Sequence, residues 1–379
     1  MSFKEVIGRI ERQKQIKESG GITSIIPPFP RLADEYGGFT KGSITCITAN
    51  SGVGKTKFVK YLGVISYLRT ALKHNLTPKI FYFALEESEN EFWLSFISMY
   101  LYEKFKVSVS VKELMSTGRF TVNDALMAKI KEAESFITRL EKYVEVIDYM
   151  RSPTQITQHI SKFFSFPHIG TQLYSIEGEK KIPTSYRYKS DELWVMGIFD
   201  HLSLMSNDIV PGSVNRMTQY QTFDYFVKDC MLSVLAKRYQ MVCLPIHQQT
   251  PASEKTVFTN KGSKIEEKLE PSLEELHINK GVHQDYEVVL GLFNPARYDI
   301  ETHNGYDISI LENNYRSIKF LKDRHYGLEN TNVGLYFNGA VGNFEELPRA
   351  EHMTTALKYQ EILQEKANIQ KSRATYLTL

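Results

Sequence analysis

The chain has 379 residues, about 2.5 domains at roughly 150 residues each. Hydrophobic residues make up 42% and charged residues 24%, enough apolar material for a sizeable core, which excludes disorder as the main state. Lys plus Arg (46) nearly balances Asp plus Glu (44), and the formal net charge of +2 excludes a polybasic protein while leaving room for a local basic loop or ring lining that binds nucleic acid.

The opening residues, Met1-Ser-Phe-Lys-Glu-Val-Ile-Gly, contain no apolar secretory segment, and no apolar run approaches the roughly 18 residues of a membrane span. The expectation is a cytoplasmic protein with no membrane partner. Residues 2–18 read as an amphipathic helix with Phe3, Val6, Ile7, Ile10 and Ile16 near one face, ended by Gly20-Gly21. Ile26-Pro-Pro-Phe-Pro is an extended linker, because proline and its preceding residue disfavour helix. A helix set off in this way packs either on another molecule or back on its own domain.

From residue 43 onward short apolar runs alternate with helical patterns. Strands are predicted at Ser43–Thr48, Lys79–Ala84, Tyr143–Asp148, Leu193–Phe199 and Gln240–Ile246, with helices near 55–74, 88–105, 123–142, 153–164 and 217–239. Apolar runs without polar alternation suit strands buried on both faces, so the fold class is α/β with a mostly parallel central sheet and helices on both faces. Tyr286–Phe293, Ser317–Leu321 and Val333–Asn338 read as a more antiparallel extension at one edge. Residues 165–192 read as a surface insertion of hairpin type, and 249–272, with Lys255, Lys261, Lys264 and Lys268, as a mobile loop. The domain division is 1–35 (helix and linker), 36–348 (core) and 349–379 (polar helical tail). Cys46, Cys230 and Cys243 sit inside apolar runs without metal-like spacing and read as core residues in a reducing compartment.

Ser43-Ile-Thr-Cys-Ile-Thr-Ala49-Asn50-Ser51-Gly52-Val53-Gly54-Lys55-Thr56-Lys57, followed by a helical pattern, is the strongest signal. Backbone N–H groups of such a loop and helix start stabilise a triphosphate. Residues 49–57 are therefore the predicted ATP cradle, with Lys55 on the β- and γ-phosphates and the Thr56 hydroxyl on Mg²⁺. Asp200, at the end of Leu193-Trp-Val-Met-Gly-Ile-Phe, is the candidate second Mg²⁺ ligand. Glu86, after Ile80-Phe-Tyr-Phe-Ala-Leu, is the candidate that orients the attacking water, unless Glu86 or Glu87 caps the following helix.

These motifs resemble a known family. Gly37-Gly38-Phe-Thr-Lys-Gly42 through Thr56 looks like the start of a RecA-like P-loop NTPase core, and later segments resemble the replicative hexameric helicases of the DnaB type. The matching segments are Phe83-Ala-Leu-Glu86, Phe199-Asp200-His-Leu-Ser-Leu-Met205, Ile246-His-Gln248-Gln, Pro271 to Val289, and Phe320-Leu-Lys322-Asp-Arg324-His-Tyr-Gly327 with Val333-Gly-Leu-Tyr-Phe and Gly342-Asn-Phe344. The likeness runs from about residue 20 to 347. Four features depart from it: His201 stands where a Tyr is usual, His277 and Lys280 replace the family's Arg and Gly, the insertion 165–192 is not part of the common core, and the family's N-terminal primase-interaction domain is not expected here, with only the helix 2–18 in the place of the helix that docks on a neighbour.

The resemblance implies an ATP- and Mg²⁺-dependent homohexamer that translocates on single-stranded DNA, with a primase or other replisome protein as partner. It implies that Gln248 senses the γ-phosphate and that Lys322 and Arg324 reach a neighbouring subunit's nucleotide. Arg216, Lys261, Lys264 and Lys280 are the candidate DNA-phosphate contacts. The compact architecture suits a virus-encoded replication protein in a host cytoplasm. Two other readings share the motifs: a RecA- or KaiC-like DNA-dependent ATPase that does not unwind, and a nucleotide-dependent scaffold.

Overall fold

The computed structural model describes residues 3–210, 212–250, 269–276, 280–324, 331–354 and 357–378. Its centre is a nine-stranded sheet. The strands are β1 (Thr45–Ala49), β2 (Thr77–Ala84), β3 (Val144–Ile147), β4 (Leu193–Asp200), β5 (Val242–Gln248), β6 (Val288–Phe293), β7 (Tyr315–Asp323), β8 (Asn332–Asn338) and β9 (Asn343–Glu346). Their spatial order is β9-β8-β7-β6-β1-β5-β4-β2-β3. The six strands from β6 to β3 run parallel. The three remaining strands pair antiparallel beyond β6.

The apolar runs form strands because both faces are covered. Every residue of β1, β4 and β6 is buried. Side chains alternate between two cores: Ile47 and Ala49 of β1 pack with Tyr82 and Phe58 on one face, while Cys46 packs with Phe81, Phe83 and Phe226 on the other. The first core is covered by the helical run Lys55–Val59, Lys60–Ser66 and Tyr67–Lys73, with Glu89–Phe105. The second is covered by Pro153–Phe164 and Phe226–Arg238. All three cysteines are buried and free, as expected of core residues.

Three expectations are refined. The antiparallel edge is real, but Val288–Phe293 is its junction, pairing parallel with β1 on one side and antiparallel with β7 on the other. The helical stretch 123–142 is two helices, Asp124–Lys131 and Glu134–Glu141. The insertion is a two-stranded hairpin, Gly170–Glu177 with Lys180–Tyr188, fixed at its base where the Tyr188 hydroxyl donates to the Tyr239 carbonyl. The N-terminal helix, Phe3–Glu18, keeps Phe3, Val6, Ile7 and Ile10 of its apolar stripe exposed, while Ile16 is half-buried. No helix among the described residues is long and apolar enough to cross a membrane.

The helical run after the phosphate loop lies hard against the sheet at Gly63, where a Cβ would stand 2.7 Å from Leu244 and 3.0 Å from Ile198. Gly63→Val should therefore overpack this contact and lower stability by about 2 kcal/mol, read as a reduced urea midpoint at unchanged m-value.

Candidate nucleotide site

Parallel strands end together, and four of them end at the same sheet edge. Ala49 of β1 is level with Gln248 of β5, and Ala84 of β2 is level with Asp200 of β4. The loops leaving these ends meet around a cleft of about 750 Å³. Such an edge is where open α/β sheets bind ligands.

The phosphate loop turns at Gly52 and Gly54, with φ of 75° and 106°, before the helix opens at Lys55. Those left-handed angles suit glycine. Ser51, Gly52, Gly54, Lys55, Thr56 and Lys57 line the cleft. Ala49, Asn50 and Val53, the other residues of the predicted cradle, have their side chains turned into the protein. Ala49 and Val53 are buried, the Asn50 amide donates to the Tyr298 hydroxyl at 2.9 Å, and the Ala49 and Asn50 carbonyls each accept from Lys55 Nζ at 3.0 Å. Burial lowers the Lys55 ammonium to about 8, opposed by the nearby Asp200 and Glu86 carboxylates.

Asp200 is 1% exposed. Its Oδ2 accepts from the Tyr82 hydroxyl at 2.8 Å, and its Oδ1 has no hydrogen-bond partner among the described residues. Burial pushes its carboxyl up to about 6, against the Tyr82 and Thr56 hydroxyls beside it. A desolvated carboxylate oxygen next to a threonine hydroxyl fits Mg²⁺, which binds through one or two protein oxygens and completes its shell with phosphates and water.

The two glutamates after β2 divide. Glu87 is turned inward and paired with Lys60 at 2.7 Å; burial raises its carboxyl while Lys60 opposes the rise. Glu86 lines the cleft with its side chain 60% exposed and its carboxylate 3.7 Å from His201 Nε2. Neither glutamate caps the next helix, because Ser88 does so, in a capping box with Glu91. Gln248 lines the same cleft. The next residue, Gln249, is buried and locked instead: its amide nitrogen donates to Thr48 Oγ1 at 2.8 Å and to the Ser272 carbonyl at 3.1 Å.

Lys322 and Arg324 are elsewhere. Lys322 pairs with Val289, which pairs with Cys46, so it sits near the start of β1 rather than at the phosphate-loop end. Its Nζ donates to the His283 carbonyl at 2.6 Å, and Arg324, exposed, donates to the Gln284 carbonyl. Arg216 is exposed in the loop after β4. Lys280 opens the turn Lys280–Asp285, but its side chain lies outside the described residues, as do Lys261, Lys264 and His277.

Arg316 was not singled out by sequence reasoning. It is 2% exposed, lines the cleft, stacks 4.6 Å over Phe337, and donates from Nε to the Val53 carbonyl at 2.7 Å. Burial lowers its guanidinium to about 9. The only sequence signal is a cation inside an apolar strand, Tyr315-Arg-Ser-Ile.

With this geometry the chain matches solved structures but not sequences. No family model matches it, and no curated protein matches it in sequence. A solved ATPase domain superposes with a TM-score of 0.63 at 16% identity, covering 92% of this chain and 99% of that one. A DnaB-like replicative helicase, solved with attention to its interactions with primase, gives 0.61 at 17% identity, covering 92% of this chain and 67% of that one. The chain has the fold that these two structures share.

The raised Asp200 carboxyl has a consequence for stability. Its ionised form is disfavoured in the fold, so stability is lost as pH rises from about 4 through about 6. Without nucleotide or divalent cation, Asp200→Asn should therefore stabilise the protein at pH 8 by about 3 kcal/mol and have no such effect near pH 4. Thermal unfolding at the two pH values with chelator present checks the sign.

Proposed function

We propose that this protein is an ATP-driven helicase that translocates on single-stranded DNA as a ring of identical subunits in DNA replication. The observation that carries the reading is a division of chemistry: Lys55, Thr56, Glu86 and Gln248 line one cleft beside buried Asp200, while Lys322 and Arg324 stand at the other end of the sheet.

The loop N–H groups and Lys55 hold the triphosphate, with Thr56 and Asp200 as the Mg²⁺ ligands. Held by Thr56 and Asp200, Mg²⁺ would supply positive charge beside the triphosphate. Glu86, the solvent-reaching carboxylate, orients the attacking water and takes its proton. Lys322 and Arg324 of a neighbouring subunit stabilise charge on the transferring phosphoryl group, so hydrolysis depends on assembly. Gln248 contacts the γ-phosphate. Because Gln249 and Thr250 are hydrogen-bonded to β1 and to the segment 272–275, loss of that contact is passed to the residues 249–281. Arg216, Lys261, Lys264 and Lys280 hold the DNA backbone, which makes binding salt-sensitive. The likeness to a helicase studied with primase supports a primase or another replisome protein as partner.

Glu86→Gln should lower single-strand-stimulated ATP hydrolysis about 100-fold or more and abolish unwinding of a forked duplex while ATP binding persists. DNA-stimulated hydrolysis by the wild type without strand separation would instead indicate a remodelling ATPase. Arg324→Ala should be equally inactive alone. Mixed with Glu86→Gln subunits it should regain part of the activity, because some interfaces then pair an intact Glu86 with an intact Arg324 from the next subunit. Failure of mixing to restore any turnover would overturn the shared site.

A further inference from the structure

A buried lysine stands one helical turn beyond Thr56. The Lys60 N–H donates to the Thr56 carbonyl, so the two side chains leave the same face of the helical run that follows the phosphate loop. Lys60 is 3% exposed, and lysine is almost never withdrawn from water so far unless it is paired. Its ammonium donates to Glu87 Oε2 at 2.7 Å and to Ser95 Oγ at 2.9 Å, and lies 5.0 Å from the centre of the Phe92 ring. One side chain thereby joins three elements: the helical run after the phosphate loop, the turn after β2, and the helix Glu89–Phe105.

Glu87 depends on this contact. Its side chain is 19% exposed, and its second oxygen, Oε1, has no hydrogen-bond partner among the described residues. A carboxylate placed in this way is stable only while its cation is present, because breaking a buried pair leaves the remaining charge uncompensated.

The same contact bears on the direction of Glu86. Leu85 is fully buried, and its N–H donates to the Asp200 carbonyl at 2.7 Å. Glu87 is drawn inward by Lys60, and Ser88 caps the next helix. Glu86 lies between two inward-turned neighbours and is itself turned out into the cleft. On one side its direction is held by a backbone hydrogen bond, on the other by an ion pair.

We infer that Lys60 and Glu87 are positioning residues for hydrolysis: their ion pair ties the turn after β2 to the helix that carries Thr56, and so aims the Glu86 carboxylate into the cleft. The inference rests on the reading of Glu86 as the group that orients the attacking water. Of two adjacent glutamates, one is a tether and the other the base.

The test measures single-strand-stimulated ATP hydrolysis per folded molecule of the full chain. Lys60→Met strands the Glu87 carboxylate, so kcat should fall about tenfold while KM and the affinity for ATP stay as in the wild type. Lys60→Met/Glu87→Met replaces the pair by two apolar side chains of similar length and should restore kcat to within about twofold of the wild type. Glu87→Asp keeps the charge and shortens the tether by one methylene; it should fold and still lose about fivefold in kcat. A purely structural pair would change the unfolding midpoint and leave kcat per folded molecule where it was. Wild-type kcat in Lys60→Met and Glu87→Asp, or a double variant no faster than Lys60→Met, would overturn the inference. Should Lys60→Met not fold, Glu87→Asp decides: wild-type kcat there overturns it. Glu86→Gln run in parallel must be inactive; if it hydrolyses ATP like the wild type, the reading of Glu86 has failed, and this inference with it.

Discussion

Strand polarity is the constraint on which the site depends. A buried parallel strand has no free side chain along its length, so its chemistry is confined to the residue at its end and to the loop beyond. Six strands of one direction turn that restriction into convergence: Lys55 and Thr56 after β1, Glu86 after β2, Asp200 closing β4 and Gln248 closing β5 need no long loops to meet. Reversing any one strand would send its polar end to the far side of the sheet. The two faces must be sealed for this to hold, which explains why Gly63 lies against Ile198 and Leu244 with no room for a side chain.

The convergence also sets the electrostatics. Lys55 and Asp200 are both withdrawn from water, and each is shifted toward its neutral form by that withdrawal. The protein retains them at a cost to its own stability, as sites built for charged ligands commonly do. Glu87 follows the opposite course: it is neutralised in place by Lys60 and leaves Glu86 as the carboxylate reaching the cleft.

The parallel core and the phosphate loop were legible because their determinants are local: apolar runs of strand length, then Gly52, Gly54, Lys55 and Thr56 in a fixed spacing. What was not legible depends on distant partners. Arg316 looks like a stray charge until the Val53 carbonyl and the Phe337 ring are brought to it. Val288–Phe293 shows nothing in its composition of having a parallel neighbour on one side and an antiparallel one on the other. Asn50 and Val53 belong to the motif by sequence, yet the fold turns them inward, because a tight loop cannot present every side chain to one ligand. The polar tail was recognisable as a helix, but its course along the cleft follows from Ile362 and Leu377, each buried in a different cluster.

The sheet also acts as a ruler. The cleft edge and the Lys322–Arg324 edge belong to one continuous hydrogen-bonded sheet, so in the proposed ring the span between a subunit's pocket and the cations it would lend is set by that sheet. Contacts made with two unlike surfaces are head-to-tail, and a two-fold dimer cannot satisfy them. Copies joined this way either close on themselves or wind into an open spiral, according to the rotation between successive members.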